Sequence, residues 1–173
     1  MPNVLISPEH ASDIPMIHAV HAEAFETDAE ARLVDQLRER ADPFLSLVAR
    51  FGDVVVGHIL FTPVRLADGG KAGLLGLAPM AVLPAFQRQG IGARLVEEGL
   101  TAAREMGARG VVVLGDDNYY PRFGFRPAAE FDLSNEFSAP ARYFMALELV
   151  REGLAIASGP VRYHPAFDEL TET

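Results

Sequence analysis

This sequence predicts an α/β fold, on three observations. Apolar strand runs joined by a two-residue turn stand between Leu45 and Thr62. A glycine-started helix follows a strand near the middle. A continuous apolar run, Val111 to Leu114, then marks a strand buried on both faces. Strand, helix and buried strand in succession make a right-handed βαβ unit.

The elements follow in order. Val4 to Ser7 is a short apolar run before Pro8, a first strand. Ser12 offers an N-cap, with Asp13 and Pro15 in the first turn, and Ile14, Ile17, His18, His21 and Phe25 recur at helical spacing, so a helix runs to about Ala24. Thr27 caps a second helix, with Ala31, Val34 and Leu37 inward and Asp35, Arg38, Glu39 and Arg40 outward, closed by Asp42-Pro43. These two helices are expected to cover one edge of a cleft. Leu45 to Phe51 and Val54 to Thr62 read as strands joined at Gly52-Asp53. Asp68 to Lys71 turns the chain into a strand from Leu74 to Leu83. Pro79 has no N–H to give a ladder, so that strand is expected to bulge there and to leave backbone groups open to a ligand.

From Ile91 a helix carries Leu95, Gly99, Ala103 and Met106 on one face, with Gly107 and Gly110 at its end. Gly115 to Asn118 turns the chain after the buried strand. Phe144 to Val150 is a strand. Gly153 to Ala157 and Val161 to His164, on either side of Ser158-Gly159-Pro160, are expected to form a terminal hairpin whose edge could pair with a second copy of the chain in a homodimer. Asp168 to Thr173 is expected to fray.

Composition narrows the functions. With 173 residues, 49% of them apolar, and no linker or repeat, one domain over residues 1–173 is expected. No apolar run approaches the ~18 residues of a membrane span, and the N-terminus lacks a basic stretch followed by an apolar core, so the cytoplasm is the default compartment. The absence of Cys removes thiolate and disulfide chemistry. A net charge of −9 argues against nucleic acid or an anionic membrane as partner and suits a cationic amine. His18 and His21 lie three apart on a helix, but no third ligand is in pattern, and no metal is expected.

Chemistry concentrates at Met80 to Ala93. A helix leaves its first N–H groups unpaired and partially positive, which suits a phosphate, and Gly90 and Gly92 clear side chains from that point. Gln87, Arg88 and Gln89 add polar or cationic reach. The loop is no P-loop, since no Lys follows, and the third Gly of a dinucleotide fingerprint is missing, Leu95 standing in its place.

What stands here is Gln87-x-x-Gly90-x-Gly92 after a strand ending Val-x-Pro, which resembles motif A of the GNAT superfamily of N-acetyltransferases. Downstream, Tyr120 stands four residues before Gly124-Phe125, similar to the family's Tyr-x-x-x-Gly-Phe. The resemblance is specific over Leu77 to Phe125. It implies a mixed, mostly antiparallel central sheet flanked by helices, with a bulged strand and a βαβ coenzyme A site. It further implies that Met80, Ala81 and Val82 bond the pantetheine arm of acetyl-CoA, and that Gln87, Arg88, Gln89, Gly90, Ile91, Gly92 and Ala93 hold its pyrophosphate. A backbone N–H near Val82 polarises the thioester, and Tyr120 protonates the departing thiolate. A thiol of pKa near ~8.5 suits a phenol of ~10 as its acid.

The implied activity is acetyl transfer to an amine of a small molecule or peptide by direct attack. A non-catalytic acyl-CoA sensor and a transferase for longer acyl groups are the alternatives. Two departures matter. The family's Asn and helical turn before the Tyr are shortened to Asp116, Asp117 and Asn118, and Leu114 stands where some members carry a Glu base. His58, Asp116 and Glu23 are the remaining base candidates, and an acceptor arriving as a neutral amine needs none.

Overall fold

A computed structural model describes residues 3–170. Its strands are β1 (Val4–Pro8), β2 (Leu45–Phe51), β3 (Val54–Pro63), β4 (Arg65–Leu66), β5 (Leu74–Val82), β6 (Gly110–Leu114), β7 (Arg126–Pro127), β8 (Leu133–Asn135), β9 (Phe144–Glu148) and β10 (Gly159–Arg162). Its α-helices are α1 (Ile14–Ala24), α2 (Ala29–Arg40) and α3 (Ile91–Glu105). The main sheet runs β1-β2-β3-β5-β6-β9-β7. Every neighbouring pair in it is antiparallel except β5 and β6. That pair is parallel because α3 carries the chain back between them.

Side chains alternate along β3 between two cores. His58 and Leu60 face α1 and α2, where Ile17, Val20, Val34 and Leu37 are buried. Ile59 and Phe61 face α3, where Leu95, Val96 and Ala103 are buried. The sheet is thus covered on both faces by helices whose apolar stripes the spacing had marked.

Pro79 does what its missing N–H requires. Ile59 pairs with Met80 but Phe61 pairs with Leu77, so Leu60 alone faces both Ala78 and Pro79. β5 bulges there, and the Ala78–Pro79 peptide is cis.

Several expectations need correction. Ser12 does not cap α1. Instead the buried Asp13 carboxylate accepts from the His10 N–H at 2.7 Å and from Arg50 on β2. Burial and the Arg50 pairing make the carboxylate a better tether than an exposed hydroxyl. Thr27 is not the cap of α2 either: Asp28 is its N-cap residue, with no side-chain cap bond, and Thr27 Oγ1, one residue earlier, accepts from the Ala29 N–H at 3.3 Å. Arg38 does not point into water. It lies half-buried against Glu9, with N–O distances of 3.1 Å.

The terminal hairpin does not form. Gly153 to Ala157 is a run of turns closed by Gly153 N–H to Val150 and Ala157 N–H to Leu154 bonds. A Cβ at Gly153 would lie 2.1 Å from the Arg109 carbonyl oxygen, so the chain approaches that backbone too closely for a strand with side chains. β10 instead forms the middle of a small sheet, β4-β10-β8, so among the described residues it is not an edge strand. Residues expected to fray are partly held. Pro165–Leu170 is a 3-10 helix anchored by buried Phe167, and the rest of that stretch, 171–173, lies outside the described residues.

Candidate active site

β5 and β6 form a fork. Their pairing covers Leu74 to Gly76 against Gly110 to Val112 and then stops. β5 runs on to Val82 with β3 on one side, while Val113 and Leu114 continue pairing with β9 alone. The edge of β5 from Leu77 to Val82 that faces the gap therefore has no strand partner among the described residues, and Met80, Ala81 and Val82 all belong to it. The bulge at Pro79 follows shortly after Gly76, the last residue of β5 paired with β6.

At the head of the gap the chain passes through a 3-10 turn, Pro84–Phe86, and enters α3. Gly90 takes a left-handed conformation at φ +84 as the N-cap residue, and no side chain caps the helix. Arg88 is also left-handed, at φ +61, a conformation costly for a side chain with a Cβ. The backbone N–H groups of Arg88, Gln89, Gly90, Ile91, Gly92 and Ala93 meet no acceptor among the described residues; Arg94 makes the first helical bond, to Gly90. This row of donors at a helix start, cleared of side chains at Gly90 and Gly92, fits a doubly charged diphosphate.

The side chains of the loop's two glutamines bond to the backbone of the turn. Gln87 donates from Nε2 to the Val82 carbonyl at 2.9 Å, and Gln89 donates to the Ala85 carbonyl at 3.4 Å. Both brace the turn. Arg88 stays exposed with no ion pair among the described residues.

Tyr120 begins the 3-10 turn Tyr120–Phe123 just past the end of β6. Its ring is buried and packs edge-on to Phe125 at 5.7 Å between centroids. Gly115 makes room for it: a Cβ there would lie 2.5 Å from Tyr120 Cε2. Burial pushes the phenol up to about 12, with smaller contributions from Tyr119 and Asp116. It is therefore fully protonated at neutral pH, as an acid must be.

Tyr119, which no motif singled out, places its hydroxyl beside Gly92 in the first turn of α3. A Cβ at Gly92 would lie 3.3 Å from Tyr119 Oη, 3.8 Å from Met80 Cε and 4.0 Å from Val82 Cγ2. The Tyr-Tyr doublet was the signal available in the sequence.

The three base candidates do not converge. His58 is fully buried with both nitrogens engaged, Nδ1 to His21 Nε2 and Nε2 to Ser46 Oγ, each at 2.7 Å. Glu23 is exposed on α1. Asp116 lies two residues past the end of β6. With Leu114, Gly115, Asp117, Asn118, Ala139 and Tyr143 it lines a cavity of about 470 Å³. Its Oδ1 accepts from the Asn118 N–H at 2.8 Å, which leaves its second oxygen available. A larger cavity of about 900 Å³ opens at the opposite end of the sheet, around Leu74 and Tyr163, away from the glycine loop. Among the described residues no group of His, Asp and Glu is arranged to hold a metal, and His18 pairs with Asp35 at 2.8 Å.

Comparison with known proteins gives a consistent result. A family model described as the Acetyltransferase (GNAT) family matches residues 14–125. The chain is 39% identical over 168 residues to the uncharacterized N-acetyltransferase YhbS of Escherichia coli (strain K12), covering 96% of this chain and 100% of that protein. The crystal structure of Escherichia coli YhbS in complex with CoA superposes with a TM-score of 0.90 at 38% identity, over 97% of this chain and 93% of that one. A GNAT family acetyltransferase from Brucella melitensis in complex with acetyl-CoA gives 0.79 at 38% identity, over 97% and 100%.

Proposed function

The chain belongs to the GNAT family of acetyltransferases, and on that premise we propose that it moves the acetyl group of acetyl-CoA to an amine by direct attack. The observation that carries this reading is the row of unpaired N–H groups from Arg88 to Ala93, set beside the unpartnered edge of β5. Two solved relatives hold CoA or acetyl-CoA, which supports the same choice of cosubstrate.

In this reading the diphosphate lies on the Arg88–Ala93 amides, and the pantetheine arm completes the ladder along Met80, Ala81 and Val82. A backbone N–H near Val82 donates to the thioester carbonyl oxygen and stabilises the oxyanion. The amine nitrogen attacks the carbonyl carbon, the new C–N bond forms and the C–S bond breaks. The thiolate takes the proton of Tyr120 Oη, and the nitrogen gives up its proton to Asp116 through water. No covalent enzyme intermediate is needed, in keeping with a chain without Cys. The acceptor is an amine of a small molecule or peptide, and the protein acts as a soluble cytoplasmic enzyme.

Calorimetry with CoA and acetyl-CoA, followed by thiol release against a panel of primary amines, tests this. Heat with both nucleotides and release with some amine are expected. No heat would overturn the coenzyme assignment; heat without release from any amine would make the protein a coenzyme sensor instead. Higher turnover with longer acyl groups would overturn the choice of acetyl.

A further inference from the structure

We propose that Tyr119 is a coenzyme-binding residue distinct in role from its neighbour Tyr120, its phenol donating a hydrogen bond to a diphosphate oxygen of acetyl-CoA. This rests on the acetyl-CoA reading above.

Position is the first argument. The hydroxyl stands 3.3 Å from where a methyl at Gly92 would be, in the corner between the end of β5 and the first turn of α3. The unpaired amides of Gly92 and Ala93 belong to that same turn. An anion seated on them has oxygens directed outward, and a donor in this corner meets one.

The second argument is that the hydroxyl is unused. Tyr119 Oη makes no hydrogen bond among the described residues, although the side chain is half-buried. Its backbone carries local bonds instead: its N–H donates to the Asp116 carbonyl at 3.1 Å, and its carbonyl accepts from Arg122 Nε at 2.9 Å.

The third is that the ring is held. The Arg122 guanidinium lies 4.5 Å from the ring centroid, Tyr120 stands edge-on at 5.1 Å and Phe123 at 5.3 Å. A donor fixed before the ligand arrives loses little freedom on binding. Burial also raises the phenol's pKa, so it remains a donor at neutral pH. Arg122 adds a positive charge over the same ring.

The two tyrosines thus divide the ligand. Successive residues at the start of one 3-10 turn, with ring planes at 87°, send one hydroxyl to the helix head and keep the other ring against Gly115.

Tyr119→Phe keeps the ring and its stacking on Arg122 and removes only the O–H. Calorimetry is expected to give a Kd for CoA about tenfold higher than wild type, the usual scale for one hydrogen bond to a charged group. The KM for acetyl-CoA should rise with it, and kcat should change much less. Adenosine 3′-phosphate 5′-diphosphate, which keeps the diphosphate and lacks the pantetheine arm, should lose affinity by the same factor. Unchanged affinity for CoA in a variant with wild-type melting overturns the inference. So does a loss confined to CoA and absent with the nucleotide, which would direct the bond to the pantetheine arm. A fall in kcat with unchanged Kd also overturns it, by assigning Tyr119 to the chemistry. Failure of the wild type itself to bind CoA would strike the coenzyme reading, not Tyr119 alone.

Discussion

His58 Nδ1 lies 2.7 Å from His21 Nε2, and neither imidazole reaches solvent. The two rings meet edge to face across the boundary between α1 and the sheet, and His58 Nε2 continues the chain to Ser46. Burial holds His21 down to about 4, and lowers His58 well below the ordinary histidine value, with each further disfavoured by the other cations near it. Both are therefore neutral in the fold at pH 6, whereas in the unfolded chain they begin to bind protons near pH 6.5. Between these limits the unfolded state holds more protons, so stability falls as pH is lowered. Urea unfolding should show a loss approaching about 1.4 kcal/mol per pH unit for each histidine below pH 6.5. His21→Gln should flatten this slope; an unchanged slope would refute the assignment.

Tyr120→Phe should lower kcat by about a hundredfold while changing CoA affinity little, because the ring's packing survives and only the acidic proton is lost. In the wild type the phenol at about 12 keeps its proton through pH 10, so kcat should show no alkaline fall from this group in that range. A variant with wild-type turnover, or a descending limb near pH 9 that Tyr120→Phe abolishes, would contradict the role.

Gly92→Glu puts a carboxylate among the donors that start α3 and drives a Cβ to within 3.3 Å of Tyr119 Oη. Like charge and lost space act together there, and calorimetry should register no binding of CoA at concentrations saturating for the wild type. Melting should remain close to wild type, since the position is only partly buried. Retained CoA binding would move the phosphate site elsewhere.

Gly99→Ala tests packing apart from chemistry. Alanine favours a helix over glycine by up to about 1 kcal/mol. Here its Cβ would lie 2.5 Å from Phe61 Cε2 and 2.7 Å from Cζ. Overpacking a closed core costs about 1–3 kcal/mol, so a net loss and a melting temperature lower by a few degrees are expected. Combining it with Phe61→Leu should recover part of the loss. A more stable Gly99→Ala would mean that α3 sits further from β3 than described.

The parts of this molecule readable from sequence are those in which one residue forces a backbone event. Pro79 lacks an N–H, and the bulge is there; Gly90 tolerates positive φ, and α3 starts on it. The parts not readable depend on partners distant in sequence. β10 pairs with the two-residue β4 and the three-residue β8, strands too short for any periodicity, and nothing local in Gly153 to Ala157 announces the Arg109 carbonyl beside it. The His21–His58 link joins residues 37 apart, and no local spacing pairs them. In the candidate site, the doublet Tyr119-Tyr120 was visible, but only the three-dimensional turn sends the two phenols to different places.

The parting of β5 from β6 has a consequence for handling the protein. A bare rim of main-chain groups is adhesive, since any passing extended segment can zip onto it. Cosubstrate lying along that rim would serve as a protective selvedge, raising the melting temperature in proportion to the logarithm of its concentration and keeping stored preparations from clumping.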